Sequence, residues 1–334
     1  MPSPMRFLSI LVILTFCANQ LLGQFDGPRT YWALPKNLNI LAAHLVRANG
    51  NASINNFTFI NPDAAVNSNL FMISYTRSQP LFERTFYSTL ILPAGDLTAT
   101  VNVDPQLPGT PPTNLYQHGL GDIVWTNSIN VFGAKGLALK DFVRHENPTL
   151  IYLRASFSFP TGRYEPENPI NLGSNQFKVK LGMPVVQRIG PLVDGKRMSL
   201  ELTPSYLIIG TNKDFLGMEV EQSGIFTLEC HLTRDITRKA FIAVDYSYIS
   251  GGSSDFINRE TGIIEDTQPG QSAHLVGVTL NFNINDYLNL FLTHNQSFGS
   301  GGNFVSLEGT ITKLTLSWSF HDFQEKMRAF LESN

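Results

Sequence analysis

Cysteine is nearly absent from this 334-residue chain: there are two, and Cys17 lies in an N-terminal leader. With only Cys230 left beyond the leader, no intramolecular disulfide can form, which excludes a disulfide scaffold. After the leader no stretch approaches the ~18 consecutive apolar residues of a membrane helix. Charge is sparse: 24 Lys and Arg against 27 Asp and Glu give a net −3. The basic residues are scattered, which argues against nucleic acid as a partner. The histidines, His44, His118, His145, His231, His274, His294 and His321, make no metal-ligand spacing such as HExxH, so neither metal nor cofactor is expected. Internal repeats and low-complexity tracts are also missing.

What is present begins with the leader. Met1–Arg6 carries one basic residue, Phe7–Phe16 is apolar, and Cys17–Gly23 leads to a cut before Gln24. That is the pattern of a secretory signal peptide. Residues 1–23 are therefore expected to be removed, residues 24–320 to form one domain, and residues 321–334 to be a short charged tail.

The domain carries a two-residue beat. In Arg197–Ile209, Met198, Leu200, Leu202 and Tyr206 alternate with Ser199, Glu201, Thr203 and Ser205. Lys239–Ile249 and His274–Ile284 repeat the design. Period two predicts strands with one oily and one polar face. The same template marks Asn37–Arg47, Val66–Arg77, Arg84–Val101, Gly121–Phe132, Leu150–Phe159 and Gln176–Val186. It continues through Arg197–Ile209, Val220–Thr233, Lys239–Ile249, Gln271–Ile284, Tyr287–His294 and Asn303–Phe320, about twelve strands in all. Pro93 threatens to split the third, because proline lacks a ladder donor. The last changes phase between Ile311 and Leu314, which a bulge near Thr312 would reconcile. Connections alternate short (Gln79–Glu83, Arg234–Arg238, Asn285–Asp286) with long (Ala48–Ala65, Asn102–Leu120, Pro160–Asn175, Ser250–Gly270). Gly133–Thr149 has room for a small helix. Short turns on one side and long loops on the other fit an all-β transmembrane antiparallel barrel, exported to the bacterial outer membrane and in contact with its lipid.

In such a barrel the polar face lines a lumen. It carries Arg154, Lys178 and Lys180, opposite Glu201, Glu229, His231 and Asp245. These charges could form a selective constriction or a static plug. Tyr31, Trp32, Trp125, Trp318, Tyr246 and Tyr248 fit interfacial girdles. The best functional loop is Phe159–Asn175, where Arg163, Tyr164, Asn168 and Asn171 could meet a ligand or merely build a turn. Glu229 and His231 share a face, but no serine motif accompanies them, so no enzyme is expected.

Several stretches resemble one family: Gly27–Leu41 (GPRTYWALPKNLNIL), Gly119–Leu137 (GLGDIVWTNSINVFGAKGL) and Phe159–Gln187 (FPTGRYEPENPINLGSNQFKVKLGMPVVQ). Leu202–Gly217 (LTPSYLIIGTNKDFLG) and Phe241–Gly251 (FIAVDYSYISG) add to these. Together they resemble the bacterial phenol meta-degradation family of outer-membrane proteins. The resemblance implies an outer-membrane barrel that passes or binds small aromatic or hydrophobic molecules. Barrel-assembly machinery is then an implied partner, although Phe320 is followed by fourteen residues where such barrels usually end on an aromatic. The functional expectation is passive uptake of such molecules. Its rival is a non-transporting surface barrel that binds ligands or partners through its external loops.

Overall fold

The computed structural model describes residues 26–51, 65–101, 113–142, 147–299, 305–306 and 308–321. The expected leader, tail residues 322–334 and parts of the long loops lie outside these. In chain order the elements are β1 (Leu38–Gly50), β2 (Ala65–Leu81), β3 (Arg84–Val101), β4 (Thr113–Leu120) and β5 (Ile123–Phe132). The short helix α1 (Leu139–Phe142) precedes β6 (Thr149–Phe159), β7 (Lys178–Gly182), β8 (Val185–Arg188) and β9 (Met198–Ile209). Then come β10 (Asn212–Phe215), β11 (Met218–Gln222), β12 (Ile225–Thr237), β13 (Ala240–Gly251), β14 (Ser254–Asn258) and β15 (Ile264–Gln268). The last are β16 (Gln271–Asn283), β17 (Leu288–Gly299), the two-residue β18 (Val305–Ser306) and β19 (Gly309–His321).

Antiparallel neighbours run from β12 through β13, β16, β17, β19, β1, β2, β3, β5, β6 and β7 to β9, and β9 pairs back with β12. The sheet is closed. β4 and β5 are two halves of one stave along β3, and β7 and β8 two halves of another between β6 and β9. The result is a twelve-stave antiparallel β-barrel. Closure removes the edge strands that an open sheet would expose.

β12 shows which face is which. Thr227, Glu229, His231, Thr233 and Asp235 point inward and are buried, while Phe226, Leu228, Cys230, Leu232 and Arg234 point outward. Next door Val244 is 53% exposed and Asp245 3%. Polar inside and oily outside is the arrangement of a barrel that faces lipid. Trp125, Trp318, Tyr246 and Tyr248 lie on that outer face, as girdle residues would.

Several details differ from the sequence reading. β3 runs unbroken through Pro93, and the interruption falls on its neighbour instead. Between Ala94↔Leu120 and Ile91↔Val124 the β4–β5 side holds one extra residue, and the Gly121 amide donates to the Pro93 carbonyl at 2.9 Å. Thr113–Leu120, expected as loop, is strand β4. No bulge occurs near Thr312: β19 pairs with β1 in one register from Leu38↔His321 to Gly50↔Gly309. Ile311 points inward and Leu314, Leu316 and Trp318 outward, because toward the long-loop end the inside itself turns apolar. The expected loop Ser250–Gly270 also folds, and the expected strand Val220–Thr233 divides between β11 and β12: β10, β11, β14 and β15 form a separate four-stranded sheet over the long-loop end, cored by Phe215, Val220 and Phe256.

Candidate functional site in the barrel lumen

The seven lumen residues expected from the sequence, Arg154, Lys178, Lys180, Glu201, Glu229, His231 and Asp245, all face inward and are buried. Register explains the meeting: His231 lies opposite Asp245 on β13 and opposite Glu201 on β9. His231 Nδ1 is 2.7 Å from Asp245 Oδ1, and Asp245 Oδ2 accepts from Thr279 Oγ1 at 2.6 Å. Lys180 Nζ reaches Glu229 Oε1 at 3.5 Å, and Glu229 Oε2 is 3.9 Å from His231 Nε2. Buried charges are tolerated only when paired and hydrogen-bonded. Here a second set of groups completes the pairing.

That set comes from residues 26–37, which enter from the short-turn end and lie within the lumen. The Asp26 amide donates to Glu229 Oε2 at 3.1 Å, and its carboxylate pairs with Arg154 at 2.9 Å and accepts from Tyr31 OH at 2.6 Å. Burial works against the Asp26 carboxylate, but Arg154 and Lys180 more than offset it and hold its pKa below the ordinary value. Glu201 accepts from the Arg29 amide at 2.7 Å and from Trp32 Nε1 at 2.9 Å. The Arg29 guanidinium binds Asp235 at 2.6 Å and lies between the rings of Trp32, at 4.2 Å, and Phe241, at 4.0 Å. Arg188 and Arg197 approach the same indole at 4.8 and 5.0 Å. Tyr87 OH donates to the Trp32 carbonyl at 2.6 Å and meets Tyr152 OH at 3.0 Å. The segment fills the short-turn half of the lumen.

The long-loop half is closed differently. Ile170 and Leu172, both 0% exposed, descend from the loop between β6 and β7 into an aliphatic ring that includes Val46, Leu70, Leu97, Ile225, Leu275 and Ile311. Asp122, in the β4–β5 break, accepts from the Gly162 and Ser174 amides, each at 2.9 Å, and from Ser174 Oγ. Gln117 donates to Asn171 Oδ1 at 2.6 Å and accepts from the Leu172 amide at 2.6 Å. The approach needs glycine: a Cβ on Gly162 would lie 2.7 Å from Gly121 and from Gly173.

Residues 47–306 match the sequence profile of the family described as "Putative MetA-pathway of phenol degradation". The chain belongs to this family. A crystal structure of an outer-membrane channel from Pseudomonas putida F1 superposes with a TM-score of 0.68 at 17% identity, covering 88% of this chain and 99% of that one. The translocator domain of the autotransporter NalP from Neisseria meningitidis gives 0.46 at 8% identity, covering 86% and 90%. The first likeness bears on the fold alone and agrees with the outer-membrane barrel architecture. No curated protein sequence matches the chain.

Within this family member the loop residues singled out from sequence build the loop itself. Arg163 pairs with Glu165 at 2.7 Å and donates to the His118 carbonyl at 2.9 Å. Tyr164 OH donates to the Asp214 carbonyl at 2.6 Å and accepts from Asn212 at 2.9 Å, tying the loop to the outer sheet. Asn168 accepts from the Ile170 amide at 3.2 Å, and Asn171 bridges the Glu165 amide and the Asn168 carbonyl at 2.8 and 2.6 Å. Lys178 stands on the cap side of Lys180 and faces inward with it. Sequence reasoning missed Asp26, Arg29 and Asp235, and assigned Tyr31 and Trp32 to a membrane girdle. Both rings instead contact lumen residues, because Asp26, Glu201 and three guanidinium groups offer partners that lipid does not.

Proposed function

We propose that the chain is an outer-membrane channel for passive uptake of small aromatic or otherwise hydrophobic molecules. On this reading a signal peptide exports it, its external loops capture the solute, and the solute moves through the lumen without cofactor, energy source or chemical step. The observation that carries the reading is how the lumen is filled. The wall leaves a space occupied by two pieces of the chain's own backbone: the segment of residues 26–37 and a loop tip. A barrel built solely as a scaffold can fill itself with wall side chains, as small barrels do. Family membership supports an aromatic solute. The test is the rate at which a phenolic compound enters intact bacteria that display the protein, against cells carrying an equal amount of an unrelated barrel. Equal rates would contradict the proposal.

The folded sheet of β10, β11, β14 and β15 supports the rival reading, in which the external loops bind a partner and nothing passes. Removing that sheet should then abolish binding, while changes to the lumen charges should not matter.

A further inference from the structure

Beneath the aliphatic cap one register row circles half the lumen. From Arg154 on β6 it runs through Gly182 on β7, Ser205 on β9, Thr227 on β12 and Ile249 on β13 to Ala273 on β16. Two residues toward the cap, the same faces of β9 and β12 carry Leu207 and Ile225. Two residues the other way they carry Thr203 and Glu229. The row marks the boundary between apolar cap and charged lumen, and most of its side chains are small.

Two of the small ones carry unsatisfied hydroxyls, and Arg154 Nε in the same row also has no partner among the described residues. Ser205 is 4% exposed and Thr227 8%, and neither Ser205 Oγ nor Thr227 Oγ1 has a hydrogen-bond partner among the described residues. They are cross-strand neighbours on the inward face. Their surroundings contrast with the next row, where Glu229 is fully paired. A buried hydroxyl without a partner is costly and rare, so two side by side signal something that binds there. Gly182 lets Ser205 Oγ lie close against β7: a Cβ at this position would lie 2.8 Å from it.

We propose that this half-ring holds a small neutral amphiphile with one apolar ring or alkyl body and one hydroxyl, of the phenol type. The body lies against Leu207, Ile225 and Ile249, and the hydroxyl exchanges hydrogen bonds with Ser205 and Thr227. The charges of Arg154 and Lys180 are already balanced by Asp26 and Glu229, which favours a neutral ligand, and Arg154 Nε, without a hydrogen-bond partner among the described residues, is a further donor at the end of the row. A pure hydrocarbon would leave both hydroxyls unmet. The inference rests on the channel reading for its biological sense, but its test reads binding rather than passage.

The experiment is 19F NMR titration of the refolded full chain in detergent with 4-fluorophenol and with fluorobenzene. Wild type is compared with Ser205→Ala/Thr227→Val, which keeps side-chain volume, and with Gly182→Ala. Heat-modifiable gel mobility verifies that each variant is folded. The double variant should bind 4-fluorophenol about tenfold more weakly, the effect of losing one net hydrogen bond, with fluorobenzene unchanged. Gly182→Ala, which crowds Ser205, should weaken 4-fluorophenol as well. Equal 4-fluorophenol affinity in wild type and the double variant would overturn the proposal and assign the hydroxyls to water. Binding without any conductance or uptake would leave this site standing while contradicting the channel reading.

Discussion

Replacing Arg29 with alanine should open the short-turn half of the lumen. The guanidinium donates to Asp235 at 2.6 Å and to Thr233 Oγ1 at 3.1 Å, and it stacks between Trp32 and Phe241. A hydrogen bond to a charged group contributes about 1.5–3 kcal/mol, and a partly desolvated cation–π contact roughly 0.5–2 kcal/mol. Asp235 is not orphaned, because Arg197 Nε and the Gly195 amide still donate to it at 3.0 Å. The Arg29 amide also keeps its bond to Glu201. These considerations put the loss near 3 kcal/mol, which lowers the docked-to-undocked ratio of the segment on the order of a hundredfold. The assay is open probability in a planar bilayer, in a barrel whose aliphatic cap is loosened by Ile170→Asn and Leu172→Asn, with Arg29→Lys as a variant that keeps charge but not the planar fork. Alanine should raise open probability strongly and lysine less. Wild-type closure in a folded Arg29→Ala barrel would refute the idea that this contact latches the segment.

Asparagine at both Ile170 and Leu172 should loosen the aliphatic cap, since each side chain is fully buried. Larger conductance with an unchanged barrel signature in circular dichroism is the expected result. Removing both Lys178 and Lys180 takes two positive charges from the lumen, so the reversal potential in a KCl gradient should move toward cation preference at constant surface abundance. Unchanged selectivity would exclude a role for these lysines in any constriction. Asp26 gives a pH dependence. Its pKa is lowered from 3.8 in the docked state, so the stabilisation is complete above that value and is lost as pH falls through the docked pKa. Accessibility of a cysteine substituted for the buried Pro28 (Pro28→Cys) should therefore rise as pH falls below about 4 and not between pH 7 and pH 5.

Much of the wall was legible because each stave repeats one chemical contrast. β12 alternates Thr, Glu, His, Thr and Asp inward with Phe, Leu, Cys, Leu and Arg outward, and a period of two survives even small boundary errors. The seven lumen residues followed from the same beat. The phase change in the last strand is visible in the sequence but marks no bulge. Ile311 is apolar and inward because the loop tip carrying Ile170 and Leu172 makes the mouth an aliphatic environment, which no single strand records. The only local sign of that tip was an apolar pair two residues apart inside a Pro- and Asn-rich loop. β10, β11, β14 and β15 are four or five residues long, too short for periodicity to stand out. The N-terminal segment was the largest omission. Arg29 meets Asp235 across 206 residues of sequence, and nothing in Gly27–Trp32 distinguishes an internal plug from interfacial aromatics.

The most direct test of the channel account is single-channel recording of the purified, refolded chain in a planar bilayer, with and without a small phenolic compound. The account predicts discrete conductance, increased by Arg29→Ala and reduced by the phenolic. Silence from both folded proteins, with no response to the phenolic, would contradict it.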